Sequence, residues 1–473
     1  MATTIRDRIW ADGQWTKSSG EGSIPILNPA TEEIIGHVPR GTAADVHLAA
    51  TSAGSAQVSW ASQSPEYRSK VLNRIADGLE RRRSELRELL VAEVGTPNLL
   101  ADDLQVGMAI DVFREAAMYI QSEQLEETIG SATVRLEAVG VIGAITPWNY
   151  PLYQAALKVA PAMAAGCAVV IKPSEIACLA IFVLAEVTDE AGVPPGVFNL
   201  VTGTGEEVGE ALVRHPSINM VSFTGSERAG RRIAEIASTV PIRVTMELGG
   251  KSAAVLLDDG DLEAAVAHTL SNCLRNSGQT CAALTRLIVP ADSMERAELA
   301  ARKWLENVVV GDPTDPATTV GPVTTAEQRA RVLEYVGIGI AEGARLITPD
   351  PRTAPEQTGF FVPPTVFSDV RADMTIAQEE IFGPVLVIIP VADEQEAVAV
   401  ANGTRYGLSG AVWSADRQRA RQIASLMHAS TVYINGAAFN PLAPFGGYRG
   451  SGYGRERGKY ALAEYLQSKS YLE

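Results

Sequence analysis

The chain is poor in cysteine and histidine. Among 473 residues it has four cysteines and five histidines. Cys167, Cys178, Cys273 and Cys281 show no CxxC spacing and no paired histidines, which argues against both a structural zinc site and a disulfide framework. Such cysteine usage fits a reducing compartment. His37, His47, His215, His268 and His428 fall in none of the motifs below, so a Cys–His hydrolase and a His-ligated metal are disfavoured. Long apolar runs are also missing. None reaches the ~18–20 residues needed to cross a bilayer, and the longest candidate is broken at Lys158 and Lys172. The start, Met1 to Asp7, has no basic stretch leading into an apolar one, so no signal peptide is expected. Basic charge is scarce: 40 Lys and Arg stand against 56 Asp and Glu, a net charge of −16. A nucleic-acid surface needs clustered cations, and this balance argues against one. The one basic run, Arg81-Arg82-Arg83, is followed by Glu85 and Glu88 and reads as a solvated helix face. A soluble cytoplasmic protein with no nucleic-acid or membrane partner is expected.

What is present is the balance of a globular protein, 46% hydrophobic and 20% charged. Domains run to roughly 100–200 residues, so two or three are expected. No internal repeat or low-complexity stretch is seen. The segment before residue 45 is a β-rich lead-in punctuated by Pro25, Pro29 and Pro39. Ser64-Pro65-Glu66 then caps a helical run carrying Val71, Leu72, Ile75, Leu79, Leu86, Leu89 and Leu90. Gly95-Thr96-Pro97 stops it.

From Val139 short apolar strands alternate with helices. Strands are expected at 139–145, 168–171, 197–201, 220–223 and 242–246, and helices at 152–166, 177–191, 206–213 and 227–237. Short runs without polar alternation, joined by helices, imply a parallel sheet covered on both faces. A second α/β series follows Lys251, with its best strands at 253–257, 284–289 and 385–390. The segment 311–322 reads as a turn-rich connector, and 460–471 mixes helix formers with a strand-like end.

Two segments carry chemistry. Cys281 sits in Asn276-Ser277-Gly278-Gln279-Thr280-Cys281-Ala282-Ala283, and Glu247 in Met246-Glu247-Leu248-Gly249-Gly250-Lys251. A thiol and a carboxylate, each in a Gly-marked turn, fit a nucleophile and a general base. The other three cysteines lie in apolar stretches and read as buried inert thiols. Cys281 lies among polar residues, as an accessible reactive thiol should. Either segment alone is weak. Together with Thr146-Pro147-Trp148-Asn149-Tyr150-Pro151, Glu379-Glu380-Ile381-Phe382-Gly383-Pro384 and the Pro444 to Glu456 signature, they resemble the non-acylating branch of the NAD(P)-dependent aldehyde dehydrogenase superfamily, over nearly the whole chain.

That resemblance implies an α/β fold with a Rossmann-type cofactor domain (1–118 and 139–249), an α/β catalytic domain (250–440) and a β oligomerisation arm (119–138 and 455–473). A homodimer or homotetramer would follow. It also implies that Cys281 attacks the aldehyde to give a thiohemiacetal, whose oxyanion meets the Asn149 amide and the Cys281 backbone N–H. A thioester then forms, and Glu247-activated water releases the acid. Lys158 matches a family lysine near the deacylation proton path, although a snorkelling helix lysine reads nearly as well. Acylating relatives, which pass the acyl group to coenzyme A, generally lack the Glu247 base.

For the cofactor, Gly203-Thr204-Gly205-Glu206-Glu207-Val208-Gly209 is a GxGxxxG segment that reads equally as a tight turn. Phe223-Thr224-Gly225-Ser226 to Gly230 is stronger, because it leaves a strand and opens a helix whose first amides face an anion. In the family, Lys172 and Glu175 of Lys172-Pro173-Ser174-Glu175 hold the adenosine ribose. A carboxylate there accepts from a 2′-hydroxyl and repels a 2′-phosphate, favouring NAD. Lys172 keeps NADP open. Glu380 and Phe382 match the residues that hold the nicotinamide ribose and flank its ring. Ile145, Thr146, Trp148, Ser174, Gly205 and Leu248 complete the expected cofactor set.

Leu157 occupies the position where relatives acting on succinate semialdehyde carry Arg and those acting on betaine aldehyde carry Trp. A neutral aliphatic or aromatic aldehyde is expected instead, with Tyr150, Gln154, Leu157, Thr280 and Phe439 lining its tunnel. A coenzyme A-acylating enzyme, a thiol esterase and a non-catalytic binding protein on the same fold are the alternatives.

Overall fold

Stretches such as Val141-Ile-Gly-Ala-Ile145 and Ala168-Val-Val-Ile-Lys172 are too short for stable helices and apolar on both faces, so they are stable only inside a covered sheet. In the computed structural model, which describes residues 4–355 and 357–472, they are adjacent parallel strands. The first three residues of the lead-in, Glu356 in the second series and Glu473 at the end of the expected arm lie outside the described residues.

The first sheet has a parallel core of β1 (Val141–Ile145), β2 (Ala168–Lys172), β3 (Phe198–Leu200), β4 (Met220–Thr224) and β5 (Arg243–Glu247). Its strands run β5-β4-β1-β2-β3. Arg8–Ala11 and Gln14–Lys17 extend the β3 edge, and Gly452–Tyr453 extends the β5 edge. Alternate residues serve opposite faces. Ile142, Ala144, Val169 and Ile171 meet one apolar cluster, with the helices Pro65–Arg81, Met108–Ser122, Pro151–Ala165 and Leu179–Glu190. Val141, Ile145, Ala168 and Val170 meet another, with Ala43–Ala61 and Glu227–Thr239. Order grows outward from β1 in both directions, β2 and β3 on one side, β4 and β5 on the other. A crevice opens where the direction reverses, at the carboxyl ends of β1 and β4.

A second, seven-stranded sheet is built from Ser252–Leu256, Leu284–Pro290, Val385–Val391, Thr365–Ser368, Arg345–Leu346, Ser409–Trp413 and Thr431–Ile434. A separate antiparallel sheet joins Glu126–Ile129, Ala132–Ala138 and the C-terminal strand Leu466–Leu472, with mostly exposed side chains.

The structure departs from the sequence reading in several places. The helical run after Ser64 is two helices, Pro65–Arg81 and Arg83–Val94, broken at Arg82. Arg82 is not simply a solvated cation: it donates to Glu85 at 2.7 Å and to Glu186 at 2.6 Å, tying the break to the Leu179–Glu190 helix. The strands at 365–368, 409–413 and 431–434 were not expected. Ser409-Gly-Ala-Val-Trp413 is rich in small residues, and the end of the Met427 side chain packs over Gly410. Tyr119 to Ser122 complete a helix rather than starting the arm, whereas the mixed segment 460–471 is, as expected, the end of a helix, Gly458–Glu464, followed by the strand Leu466–Leu472.

One junction fixes the C-terminal signature to the site. Gly452 pairs with Glu247 at a left-handed φ of 106°, and a Cβ there would lie 2.0 Å from Met246 O. Gly452→Ala is therefore expected to destabilise by about 1–3 kcal/mol, read as a lower apparent unfolding temperature at fixed scan rate. An unchanged temperature would contradict this packing.

Candidate active site

Register alone gathers the first site residues. Thr224 pairs with Glu247, Phe223 with Ile145 and Ile145 with Lys172. The carboxyl ends of four adjacent strands thus carry Glu247, Thr224, Ile145 with Thr146, and Lys172 with Ser174 and Glu175. Ser226 then caps the helix Glu227–Thr239, its side chain accepting from Ala229 N, so the first amides of that helix open onto the crevice. Trp148, Asn149, Gln154, Gly225, Ser226, Glu247, Leu248, Cys281, Glu380 and Phe382 line a single cleft of about 710 Å³.

Glu247 is buried, and neither of its carboxylate oxygens has a well-formed hydrogen bond; the backbone N–H of Gly447 approaches and favours the ionised form only weakly. Burial pushes its carboxyl well above the usual range, and the neighbouring Glu456 pushes it further. Lys158 and Arg455 only partly offset this. Lys158 does not snorkel. Its side chain has no solvent exposure, and Nζ donates to Thr224 Oγ1 and Glu456 Oε1, both at 2.6 Å. Glu247, Glu456, Lys158 and Thr224 therefore form one buried cluster behind the cleft.

The Cys281 loop has an unusual backbone. Asn276, Ser277 and Gly278 are left-handed in succession, with φ of 51°, 57° and 77°. Such strain persists only where neighbours hold it. Thr96 Oγ1 donates to Asn276 Oδ1 at 2.7 Å, and Ser277 Oγ to Gly321 O at 2.9 Å. Asn276 Nδ2 donates to the backbone oxygen of Asn149 at 2.9 Å, and Gln105 Nε2 reaches that oxygen at 3.4 Å. Asn149 Nδ2 donates to Gln279 O at 2.9 Å, which uses one of its two N–H groups and leaves the other for a ligand. Cys281 is the half-buried cysteine, while Cys167, Cys178 and Cys273 are buried. Burial raises the Cys281 thiol strongly, and Glu247, Glu380 and Glu456 add to the rise.

Gly249 and Gly250 permit two close approaches. A Cβ on Gly249 would lie 2.2 Å from Glu380 Oε2, and one on Gly250 2.4 Å from Cys281 O. Gly250 N donates to Glu380 Oε1 at 2.9 Å, and burial lifts the Glu380 carboxyl to about 7. Phe382, left-handed at φ 64°, meets Trp148 edge to face at 5.4 Å. The helix Ala326–Ala341 holds this loop: Gln328 Nε2 donates to Phe382 O at 2.7 Å and Arg331 to Glu380 O at 2.7 Å.

Other expected residues are placed differently. Phe223 and Gly230 lie under the cleft floor, beneath Gly225 and against Leu248. Gly205 starts a helical turn capped by Thr204, following β3, whose carboxyl end neighbours that of β2. Tyr150 OH and Thr280 Oγ1 are 2.8 Å apart, behind the cleft wall. Leu157 and Phe439 do not line the cleft. Leu157 is turned toward the helix Met108–Ser122 and lines a separate small cavity with Glu115 and Arg457. The sequence reading gave no role to Thr96, Gln105, Asn276, Gln328, Arg331 or Glu456. Asn276, inside the quoted cysteine segment, and Glu456, inside the quoted C-terminal signature, carried a signal that could have found them.

A family model for the aldehyde dehydrogenase family matches residues 15–471. The chain belongs to that family. A 3-succinoylsemialdehyde-pyridine dehydrogenase from a Pseudomonas species is 44% identical over 98% of both chains. Aldehyde dehydrogenase C from Pseudomonas syringae, solved as a mutant with NAD+ and octanal, superposes with a TM-score of 0.97 at 43% identity, covering 98% of this chain and 96% of that one. The Mycobacterium tuberculosis aldehyde dehydrogenase solved with NAD+ gives 0.97 at 40% identity, over 100% and 99%. This aldehyde dehydrogenase is therefore an enzyme that oxidises aldehydes to acids. Among the described residues no helix is long and apolar enough to cross a membrane.

Glu247 accepts a proton only when ionised, and its folded carboxyl titrates above the usual ~4.3. The dehydrogenase rate is thus expected to keep rising with pH beyond the ordinary carboxylate range. Glu247→Gln should lower the high-pH rate by about 10²–10⁴-fold. A profile already flat at acidic pH, or an unaffected variant, would contradict this role.

Proposed function

We propose that the enzyme oxidises a neutral aldehyde with NAD through covalent catalysis at Cys281, with water as the acyl acceptor. The observation that carries this reading is one cleft in which an accessible thiol, an unpartnered buried carboxylate and a side-chain amide face a helix N-terminus.

The cleft fits a dinucleotide. Glu227–Thr239 presents its first amides for the pyrophosphate, and Glu380 offers a carboxyl for the nicotinamide ribose. Trp148 and Phe382 supply aromatic faces. The carboxyl groups around Cys281 leave it short of positive charge, which suits a cationic nicotinamide ring. Lys172 and Glu175 are paired at 2.9 Å, so the lysine is already neutralised and Glu175 disfavours a 2′-phosphate; this supports NAD over NADP. When bound, NAD supplies the hydride acceptor.

The protein's own groups do the rest. Glu247 takes the proton from Cys281 Sγ, and the thiolate adds to the aldehyde carbon. The free N–H of Asn149 and the Cys281 amide stabilise the oxyanion, each donor contributing about 2.7–4 kcal/mol by comparison with other oxyanion holes. After hydride loss the thioester remains on Cys281. Glu247 then deprotonates water, which expels the acid and regenerates the thiol. Before that step the proton taken from Cys281 must leave Glu247 for solvent through the cleft, while Lys158, held by Thr224 and Glu456, keeps a positive charge beside the ionised carboxylate. The presence of Glu247 sets this reading above a coenzyme A acceptor.

The domain reading is retained in this proposal: 1–118 with 139–249 for the cofactor, 250–440 for catalysis, and an arm of the strands at 126–138 and 466–472. That arm, exposed and ending in an open edge, would pair with another copy to give a dimer or tetramer. Four free cysteines suit a reducing, cytoplasmic setting.

Cys281→Ala, mixed with NAD and a simple aldehyde and without coenzyme A, is expected to lose at least about 10³-fold in NADH production, as covalent catalysts do without their nucleophile. NAD binding, followed by protein fluorescence, should persist. Turnover within tenfold of wild type, or a strict need for coenzyme A in the wild type, would overturn the reading.

A further inference from the structure

The helix that faces the cleft with its first amides begins with an acid. Glu227 is the first residue of Glu227–Thr239, and locally a carboxylate is favoured there. It meets the positive end of the helix dipole and pairs with Arg231 one turn on, Arg231 Nη2 lying 2.6 Å from Glu227 Oε1. For an anionic ligand the same placement is a liability. A diphosphate needs that same helix end, and Glu227 lines the cleft beside Gly225 and Ser226. Its side chain is only 17% exposed, so salt and water screen the charge poorly.

The opposite wall supplies a counter-charge. Arg405 precedes the Ser409–Trp413 strand of the second sheet and lines the same cleft. Its Nε lies 2.8 Å from Glu227 Oε2, an ion pair rather than a well-aligned hydrogen bond. Although half of the Arg405 side chain is exposed, its posture is fixed from a second direction. Nη2 donates to Tyr406 OH at 3.0 Å, and the guanidinium stands 5.0 Å from the centre of that ring. The charge also reaches along the cleft: where burial lifts the Glu380 carboxyl, Arg405 is among the cations that oppose the rise. Arg231, by contrast, is mostly exposed and belongs to the same helix as the acid. Of the two cations on Glu227, only Arg405 comes from across the cleft.

We propose that Arg405 is a cofactor-positioning residue, which neutralises Glu227 from the opposite wall and so leaves the helix end free to take a diphosphate. Its Nε and Nη2 are committed to Glu227 and Tyr406, so the action runs through the acid. This rests on the reading of the cleft as the dinucleotide site and adds a residue from the second sheet to it.

The test is the dissociation constant of NADH, read from its own fluorescence on the full-length enzyme at low salt, with no turnover required. Arg405→Gln should weaken binding by about fivefold or more, the effect of uncovering one poorly screened charge beside a phosphate. Glu227→Gln combined with Arg405→Gln should bring the constant back to within about twofold of wild type, because acid and counter-charge leave together. Raising salt to about 1 M should shrink the loss in the single variant toward none. General damage to the cleft would recover in neither case. An Arg405→Gln constant equal to that of wild type overturns the proposal and leaves the reading of the cleft standing. So does a double variant as weak as the single one, since the arginine would then meet the phosphates itself. A wild type that binds no NADH overturns the reading of the cleft and this proposal with it.

Discussion

A carboxylate buried without a well-formed hydrogen bond, beside a half-buried thiol, sets the terms for the rest of this molecule. Neither group is comfortable in its charged form there: burial and Glu456 raise the affinity of Glu247 for protons, and burial and Glu247 raise that of the thiol. A base so placed is strong once ionised, because no well-formed hydrogen bond must be broken before it accepts a proton. The cost is met by the fold: Lys158, fully buried, is held by Glu456 and Thr224 near enough to moderate Glu247 without forming a direct bond to it. A direct Lys158–Glu247 pair would have stabilised the ion and removed the base.

Geometry is held from several elements at once. The parallel register brings Glu247 and Thr224 side by side, and the antiparallel return of Gly452 closes the β5 edge over them. The thiol loop, strained at Asn276 and Ser277, is held by Thr96 from the helical part of the chain, and Asn276 in turn fixes the backbone of Asn149. The proposed nucleophile, Cys281, and the proposed oxyanion donor, Asn149, therefore share one hydrogen-bonded frame. Glu380 reaches the same frame through Gly250 N, over the open face of Gly249, and Gly250 lets Cys281 O approach on the other side.

Much of this was legible in the amino-acid sequence because its signals are local. Buried strands such as 168–172 announce themselves by unbroken apolar runs, and the Ser64-Pro65 cap by side-chain chemistry. Cys281, Glu247, Asn149 and Glu380 stood out through short Gly-marked segments. What was missed depends on distant partners. Arg82 breaks a helix whose apolar period continues past it, because Glu186, far along the chain, holds its guanidinium. The strand at 409–413 opens with small residues and takes its place between Ser252–Leu256 and Thr431–Ile434, partners far off in the chain. The family resemblance placed Leu157 in the substrate tunnel, yet could not show that the side chain turns toward the Met108–Ser122 helix instead.

The central claim is that the substrate becomes covalently attached to one sulfur. Intact-mass and peptide mass spectrometry of Glu247→Gln, quenched in acid shortly after mixing with NAD and octanal, tests it most directly. The account predicts an octanoyl adduct confined to the peptide carrying Cys281, accumulating as NADH forms. NADH formation with no adduct, or an adduct on Cys167, Cys178 or Cys273, would contradict it.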